Sequence, residues 1–180
     1  MAGIAPVAIK TLFSAEKIAR RVEALAHEIA AARLHDPIIV AVLKGSFIFA
    51  ADLIRALHRQ GLVPEIDFIF LASYGAGTTS KGEVVVVRDV ESKLEGRDVV
   101  IVDDILDSGR TLAFAKTLLE TRGSRSVRTC VLMDKQVPRA APITPDFVGF
   151  PCPPVFVVGY GTDLAHRYRE LPFIGEVSDP

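Results

Sequence analysis

Cysteine is scarce in this chain. Cys130 and Cys152 are its two thiols, and they form neither a metal-binding spacing nor a disulfide framework. Cys130 falls inside an apolar strand pattern, so it is expected to be a small buried hydrophobe. The histidines His27, His35, His58 and His166 are scattered without a paired ligand spacing. Neither sign of charge dominates: 21 Lys and Arg against 22 Asp and Glu leave a formal net charge of −1. Nothing in that balance advertises a nucleic-acid or membrane partner. No apolar run is long enough to span a bilayer, and the first residues lack the apolar core of a signal peptide, so a reducing cytoplasm is the expected location. Internal repeats and linkers are missing as well. A chain of 180 residues can bury a proper core, and one α/β domain over residues 1–180 is expected.

What is present is concentrated in Val99 to Leu112, VVIVDDILDSGRTL. Four β-branched residues, Val99 to Val102, read as a strand buried on both faces. Asp103 and Asp104 arrive where that strand is expected to end, and the chain is expected to turn through Ile105, Leu106 and Asp107. Apolar residues at Leu112, Ala115, Leu118 and Leu119 then follow helical spacing. Backbone N–H groups opening a helix are unpaired and attract an anion. Gly109 permits close approach, Ser108 and Thr111 add hydroxyls, and Arg110 adds charge. Residues 107–111 therefore read as a monophosphate cradle. The two carboxylates beside it suit ribose hydroxyls or the water shell of a magnesium ion. In open α/β sheets this strand edge is where ligands bind.

Taken in order, Ser14 caps a helix with Glu16 in its first turn. Ile18, Val22, Leu25, Ala26, Ile29 and Ala30 form its apolar stripe. Asp36-Pro37 breaks that pattern, and Ile38–Leu43 reads as the first central strand. It runs into Leu43-Lys44-Gly45-Ser46, a second strand-to-helix turn carrying a cation, a glycine and a hydroxyl. The helix beyond it holds Phe47, Ile48, Phe49, Ala50 and Leu53, and its apolar run from Phe47 to Leu57 is a plausible subunit interface. Ile66–Leu71 and Val84–Val87 read as strands around a loop of small polar residues that opens with Ser73-Tyr74-Gly75. Val127–Met133 is a further strand ending at Asp134-Lys135. Pro138, Pro142, Pro145, Pro151, Pro153 and Pro154 then mark rigid, irregular backbone. Val155–Tyr160 is expected to be the last strand, before Gly161-Thr162-Asp163 and a charged segment containing His166, Arg167 and Arg169.

The ordered run of four apolar residues, two acids, two apolar residues and Asp-Ser-Gly-Arg-Thr closely resembles the phosphoribosyl pyrophosphate (PRPP) motif of the type I phosphoribosyltransferases. Three further stretches, Lys135-Gln136-Val137-Pro138-Arg139, Pro145-Asp146-Phe147-Val148-Gly149-Phe150 and Phe156-Val157-Val158-Gly159-Tyr160, resemble the hypoxanthine-guanine members, and with the earlier turns the likeness covers about Val40 to Leu171. It implies a central, mainly parallel sheet flanked by helices, with a core of roughly residues 36–135. A small hood from the N-terminal segment and roughly residues 136–180 would lie over the active site.

The implied reaction is purine salvage: PRPP and hypoxanthine or guanine give IMP or GMP and pyrophosphate, with one or two Mg2+ ions. Asp107 to Thr111 would hold the 5′-phosphate, with Asp107 also serving the purine N7 proton. Asp103 and Asp104 would hold the ribose hydroxyls and one magnesium. Lys44, Gly45 and Arg169 would bind pyrophosphate, and Ser73 and Tyr74 would close over it as a lid. Lys135 would donate to the purine O6, Phe156 would stack on the ring and Val157 would offer backbone groups. Asp163 would bind a second magnesium, the one bridging pyrophosphate, and counts among the purine-binding residues. The resemblance further implies a cis Leu43-Lys44 peptide and a homodimer or homotetramer. Two departures leave the charge logic intact: Asp103 stands where many members have Glu, and Arg110 where others use Lys. The prolines from Pro151 to Pro154 exceed what the family leads one to expect. A xanthine-preferring enzyme is the nearest alternative, and Lys135 counts against adenine. A non-enzymatic RNA-binding regulator would want a basic face, which this composition lacks.

Overall fold

The computed structural model describes residues 8–74 and 83–178. Its elements run β1 (Ile9–Phe13), α1 (Ala15–Ala31), β2 (Ile38–Leu43), α2 (Phe47–Arg59), β3 (Glu65–Tyr74), β4 (Glu83–Arg88), β5 (Asp98–Leu106), α3 (Arg110–Glu120), β6 (Ser126–Lys135), β7 (Phe147–Cys152), β8 (Val157–Val158) and β9 (Ile174–Val177). Six strands form the central sheet in the order β4-β3-β2-β5-β6-β7. All its neighbours are parallel except the antiparallel pair β3–β4.

Alternation along the central strands divides the core in two, because successive side chains point to opposite faces. Ile39, Ala41, Val100, Val102, Cys130 and Leu132 join α1 and α2 on one face. Ile38, Val40, Val42, Val99, Ile101 and Val131 join Leu112, Ala115 and Leu119 of α3 on the other. Continuous apolar runs are what a strand covered on both faces requires. Ser14 caps α1, its hydroxyl accepting from Lys17 N, and the stripe Ile18, Val22, Leu25, Ala26 and Ile29 is buried.

Three sequence expectations are corrected. The strand carrying the acids does not end at Val102: β5 continues to Leu106, paired with β6 through Leu106–Asp134. Its pairing with β2 stops at Ala41–Val102. From Asp103 onward β5 therefore has one strand neighbour instead of two, and a gap opens on the β2 side. The proline-rich passage contains β7, which completes the central sheet beyond the expected boundary at residue 135. Pro151 is tolerated there because β7 is an edge strand and needs no donor on its outer side. The expected strand Val155–Tyr160 shrinks to Val157–Val158; Pro153 and Pro154 lack N–H donors, and Gly159, Tyr160 and Gly161 all have positive φ. Helix α2 buries Phe49, Ala50, Leu53, Ala56 and Leu57 within the chain, while Phe47 stays 45% exposed.

Periodicity misses β1 and β9. They pair antiparallel with each other, and β9 pairs with β8, making a second sheet of three strands from the two ends of the chain. This sheet corresponds to the expected hood. Phe13 of β1 stacks on Phe150 of β7 at 4.3 Å between ring centroids, fixing one sheet to the other through aromatic packing. Among the described residues no helix is long and apolar enough to cross a membrane.

Candidate active site

Three strand ends meet at the carboxyl edge of the central sheet: Leu43 of β2, Asp103 to Leu106 of β5, and Asp134-Lys135 of β6. The gap between β2 and β5 is filled by close packing. A Cβ on Gly45 would fall 1.9 Å from Asp104 Oδ2, and one on Gly161 would fall 2.1 Å from the Gly45 carbonyl oxygen. Asp104, the Lys44-Gly45 turn and Gly161 are therefore stacked with no room for a side chain between them. The Leu43-Lys44 peptide is cis. Lys44 is exposed, its Nζ 5.5 Å from the Phe70 ring centroid. The Ser46 hydroxyl is consumed locally, donating to Val42 O at 2.6 Å, and is not offered to a ligand.

Asp103 is buried, and its Oδ1 accepts from Asp104 N at 3.0 Å. Burial pushes the Asp103 carboxyl well above the ordinary range, and the neighbouring Asp104 pushes it further. Burial raises Asp104 as well, against the pull of Arg169. Removing water disfavours two adjacent negative charges, so the pair calls for a cation. Among the described residues no third His, Cys, Asp or Glu joins them to complete a metal-binding group.

The following loop is held from outside. Gly109, at φ +80°, precedes α3, and no side chain caps that helix; its first N–H groups are left for an anion. Asp107, Ser108 and Arg110 are exposed and Thr111 is half-buried. The Ser108 carbonyl accepts from Ala140 N and Ala141 N at 2.9 and 3.1 Å, and a Cβ on Gly109 would lie 2.5 Å from Ala141 O. Residues 140–143 are thus the back wall of the loop, a contact with no signal in the local sequence. Lys135 donates from Nζ to Asp107 Oδ2 at 3.0 Å, with the lysine side chain 16% exposed and the aspartate 52%. Phe156 is 39% exposed beside the buried Val157.

At the far side, Arg169 donates to Gly161 O at 2.5 Å and pairs with Asp163 at 2.6 Å. Asp163 also accepts from His166 N at 2.7 Å. Ala165, His166 and Tyr168 all sit at positive φ, conformations that cost energy outside glycine and fold the segment back so that residues 163 and 169 meet. The structure thus groups Asp104, Gly45, Asp163 and Arg169 on one side and Asp107 to Thr111 with Lys135 on the other. Ser73 and Tyr74 end β3, and the loop they open, 75–82, lies outside the described residues.

The family model "Phosphoribosyl transferase domain" matches residues 8–164, which gives the class. The hypoxanthine-guanine phosphoribosyltransferase of Bacillus subtilis is 43% identical over 92% of this chain and 91% of its own length. That of Dictyostelium discoideum is 37% identical over 94% and 96%. The chain spans a quarter of the Listeria innocua bifunctional protein TilS/HprT, at 43% identity. Among solved structures, a Staphylococcus aureus hypoxanthine phosphoribosyltransferase superposes with a TM-score of 0.87 at 37% identity, covering 94% of this chain and 91% of that one. A Trypanosoma cruzi hypoxanthine phosphoribosyltransferase gives 0.88 at 38%, covering 98% and 95%. The chain belongs to the hypoxanthine-guanine phosphoribosyltransferase family.

Proposed function

We propose that this chain is a cytoplasmic purine salvage enzyme that transfers the 5-phosphoribosyl group of PRPP to N9 of hypoxanthine or guanine, releasing pyrophosphate and IMP or GMP. The observation that carries the reading is the Lys135–Asp107 contact of 3.0 Å beside the phosphate loop. It sets an ammonium donor next to a carboxylate acceptor. A 6-oxopurine presents the complement along one edge, an O6 acceptor beside an N7–H donor. Adenine presents an amino group at position 6, which three ammonium donors cannot satisfy. On binding, Lys135 turns to O6 and Asp107 to N7, where it takes up the proton as N9 attacks the ribose. Phe156 stacks on the ring, and Val157 contributes backbone groups.

The loop 107–111 holds the 5′-phosphate on the uncapped end of α3. Asp103 and Asp104 bind the ribose hydroxyls. Lys44 and Arg169 offset the charge that develops on departing pyrophosphate, with the Gly45 backbone lying close to it. Ser73 and Tyr74 close over that group. Magnesium fits the site, because two buried carboxylates that resist ionising together suit a divalent ion that takes its remaining ligands from substrate oxygens and water. Asp103 and Asp104 would hold one ion and Asp163 a second, and magnesium supplies charge neutralisation of the pyrophosphate. A homodimer or homotetramer belongs to the same proposal.

The test is a spectrophotometric assay with PRPP and magnesium, offering hypoxanthine, guanine, xanthine and adenine in parallel. Formation of IMP and GMP with adenine inert is expected. Faster turnover of xanthine than of hypoxanthine would select the xanthine enzyme. Silence with all four bases would overturn the proposal and turn attention to RNA and nucleotide binding.

A further inference from the structure

Between the end of β6 and the start of β7, residues 136–146 carry no regular structure. Pro138, Pro142 and Pro145 each remove a backbone donor from this stretch. Yet the stretch must be rigid where it matters, because Ala140 N and Ala141 N bond the Ser108 carbonyl, and Ala141 O and the Ile143 side chain press on Gly109. Backbone bonds fix its two ends: Gln136 N bonds Cys152 O, Val137 N bonds Lys135 O, and Asp146 N bonds Thr129 O. The Arg139 side chain links the end of β6 to residue 143. Arg139 donates from one terminal nitrogen to the Asp134 carboxylate and from the other to the Ile143 carbonyl. Both side chains of the pair are largely withdrawn from water, Arg139 at 22% exposure and Asp134 at 18%.

We infer that Arg139 is a positioning residue for the 5′-phosphate loop: it braces residues 140–143 against the end of β6, and that wall sets Ser108 and Gly109. The inference rests on the function proposed above. A planar guanidinium suits the task because it reaches a carboxylate and a carbonyl at once in fixed directions, whereas an ammonium is a single point of contact. Asp134 is an apt anchor because strand pairing fixes it on both sides, to Leu106 and to Pro151. Pairing with Cys152 holds Lys135 in place without Arg139. The pyrophosphate side, built on β2 and residues 161–169, is insulated from the brace.

This predicts a lopsided loss. In Arg139→Ala the KM for PRPP and the inhibition constant of ribose 5-phosphate should rise about tenfold or more, since a loop displaced by a fraction of an ångström loses its preorganised donors. Inhibition by pyrophosphate should stay within about twofold. Arg139→Lys should fall between the two enzymes. Should Arg139→Ala fold poorly because Asp134 is left without a partner, the double variant Arg139→Ala with Asp134→Asn removes that stranded charge and carries the same expectation. Equal weakening of ribose 5-phosphate and pyrophosphate would mean a general structural role and overturn the inference, as would an unchanged ribose 5-phosphate constant in a folded variant. If the wild-type protein shows no turnover, the function proposal fails separately. Calorimetric titration of ribose 5-phosphate and pyrophosphate then decides the positioning claim: selective weakening upholds it, and equal weakening or no ribose 5-phosphate binding to wild type overturns it.

Discussion

Gly45→Ala separates the geometry of the site from the stability of the fold. A Cβ at this position would lie 1.9 Å from Asp104 Oδ2, whereas ordinary contact begins near 3.4 Å. The carboxylate must therefore retreat by about 1.5 Å to restore normal packing. Gly45 is not among the glycines with positive φ, so alanine introduces no backbone strain. Its smaller unfolded-state entropy even favours folding by about 0.4–1 kcal/mol. The damage falls on Asp104, a proposed ribose and magnesium ligand. Misplacing a reacting or positioning group by about 1 Å costs on the order of a hundredfold, or about 2.7 kcal/mol of transition-state stabilisation. Steady-state kinetics with PRPP and hypoxanthine should show that loss in kcat/KM, while thermal unfolding stays within about 1 kcal/mol of wild type. Gly161→Ala is the contrast. Its Cβ would meet the Gly45 carbonyl at 2.1 Å from a φ of +104°, so stability and activity should fall together. A folded Gly45→Ala enzyme with wild-type kcat/KM would refute the claim that this packing sets Asp104.

Other outcomes test the remaining assignments. Asp107→Asn should lower kcat by about 10²–10⁴ with a much smaller change in PRPP binding; equal loss in both would remove its role in proton transfer. Lys135→Ala should weaken hypoxanthine more than PRPP, and an unchanged affinity for hypoxanthine would remove the O6 contact. Asp98, at the amino edge of β5, governs acid stability. Burial alone would raise its carboxyl, but His35 N at 2.7 Å, the Ser126 hydroxyl at 2.8 Å, Arg125 and Arg128 together bring it below the ordinary 3.8. A carboxyl lowered by folding stabilises the protein fully above its unfolded value and loses that contribution as the pH falls through the folded one. Melting curves of wild type and Asp98→Ala should therefore differ most near neutrality and converge as the pH drops below 3.8; a gap that widened in acid would contradict this sign.

The central sheet and its phosphate loop were legible because their signals are local. The continuous apolar runs of Ile38–Leu43 and Val99–Val102 declare strands covered on both faces, and the spacing of Leu112, Ala115 and Leu119 declares the helix behind them. The order of acids, glycine and hydroxyls beyond Val102 suggested a phosphate site at the start of the following helix. The length of β5 was not legible, because polar Asp103 and Asp104 look like a strand end; pairing with β6 carries the strand through them.

By itself, then, the sequence determined the layered α/β core, the loop 107–111 that opens α3, the acid pair and the second turn at Lys44-Gly45. Tertiary structure alone decided the sheet joining Ile9–Phe13 to Ile174–Val177 and the stacking of Asp104, Gly45 and Gly161. It also decided the pairing of Arg169 with Asp163 and the contacts of Arg139 with Asp134 and Ile143. Each of these depends on elements brought together by the fold. A short strand or a lone arginine carries too little periodicity to announce a distant partner; the partner is supplied when the central sheet packs and leaves one carboxyl edge on which they all meet.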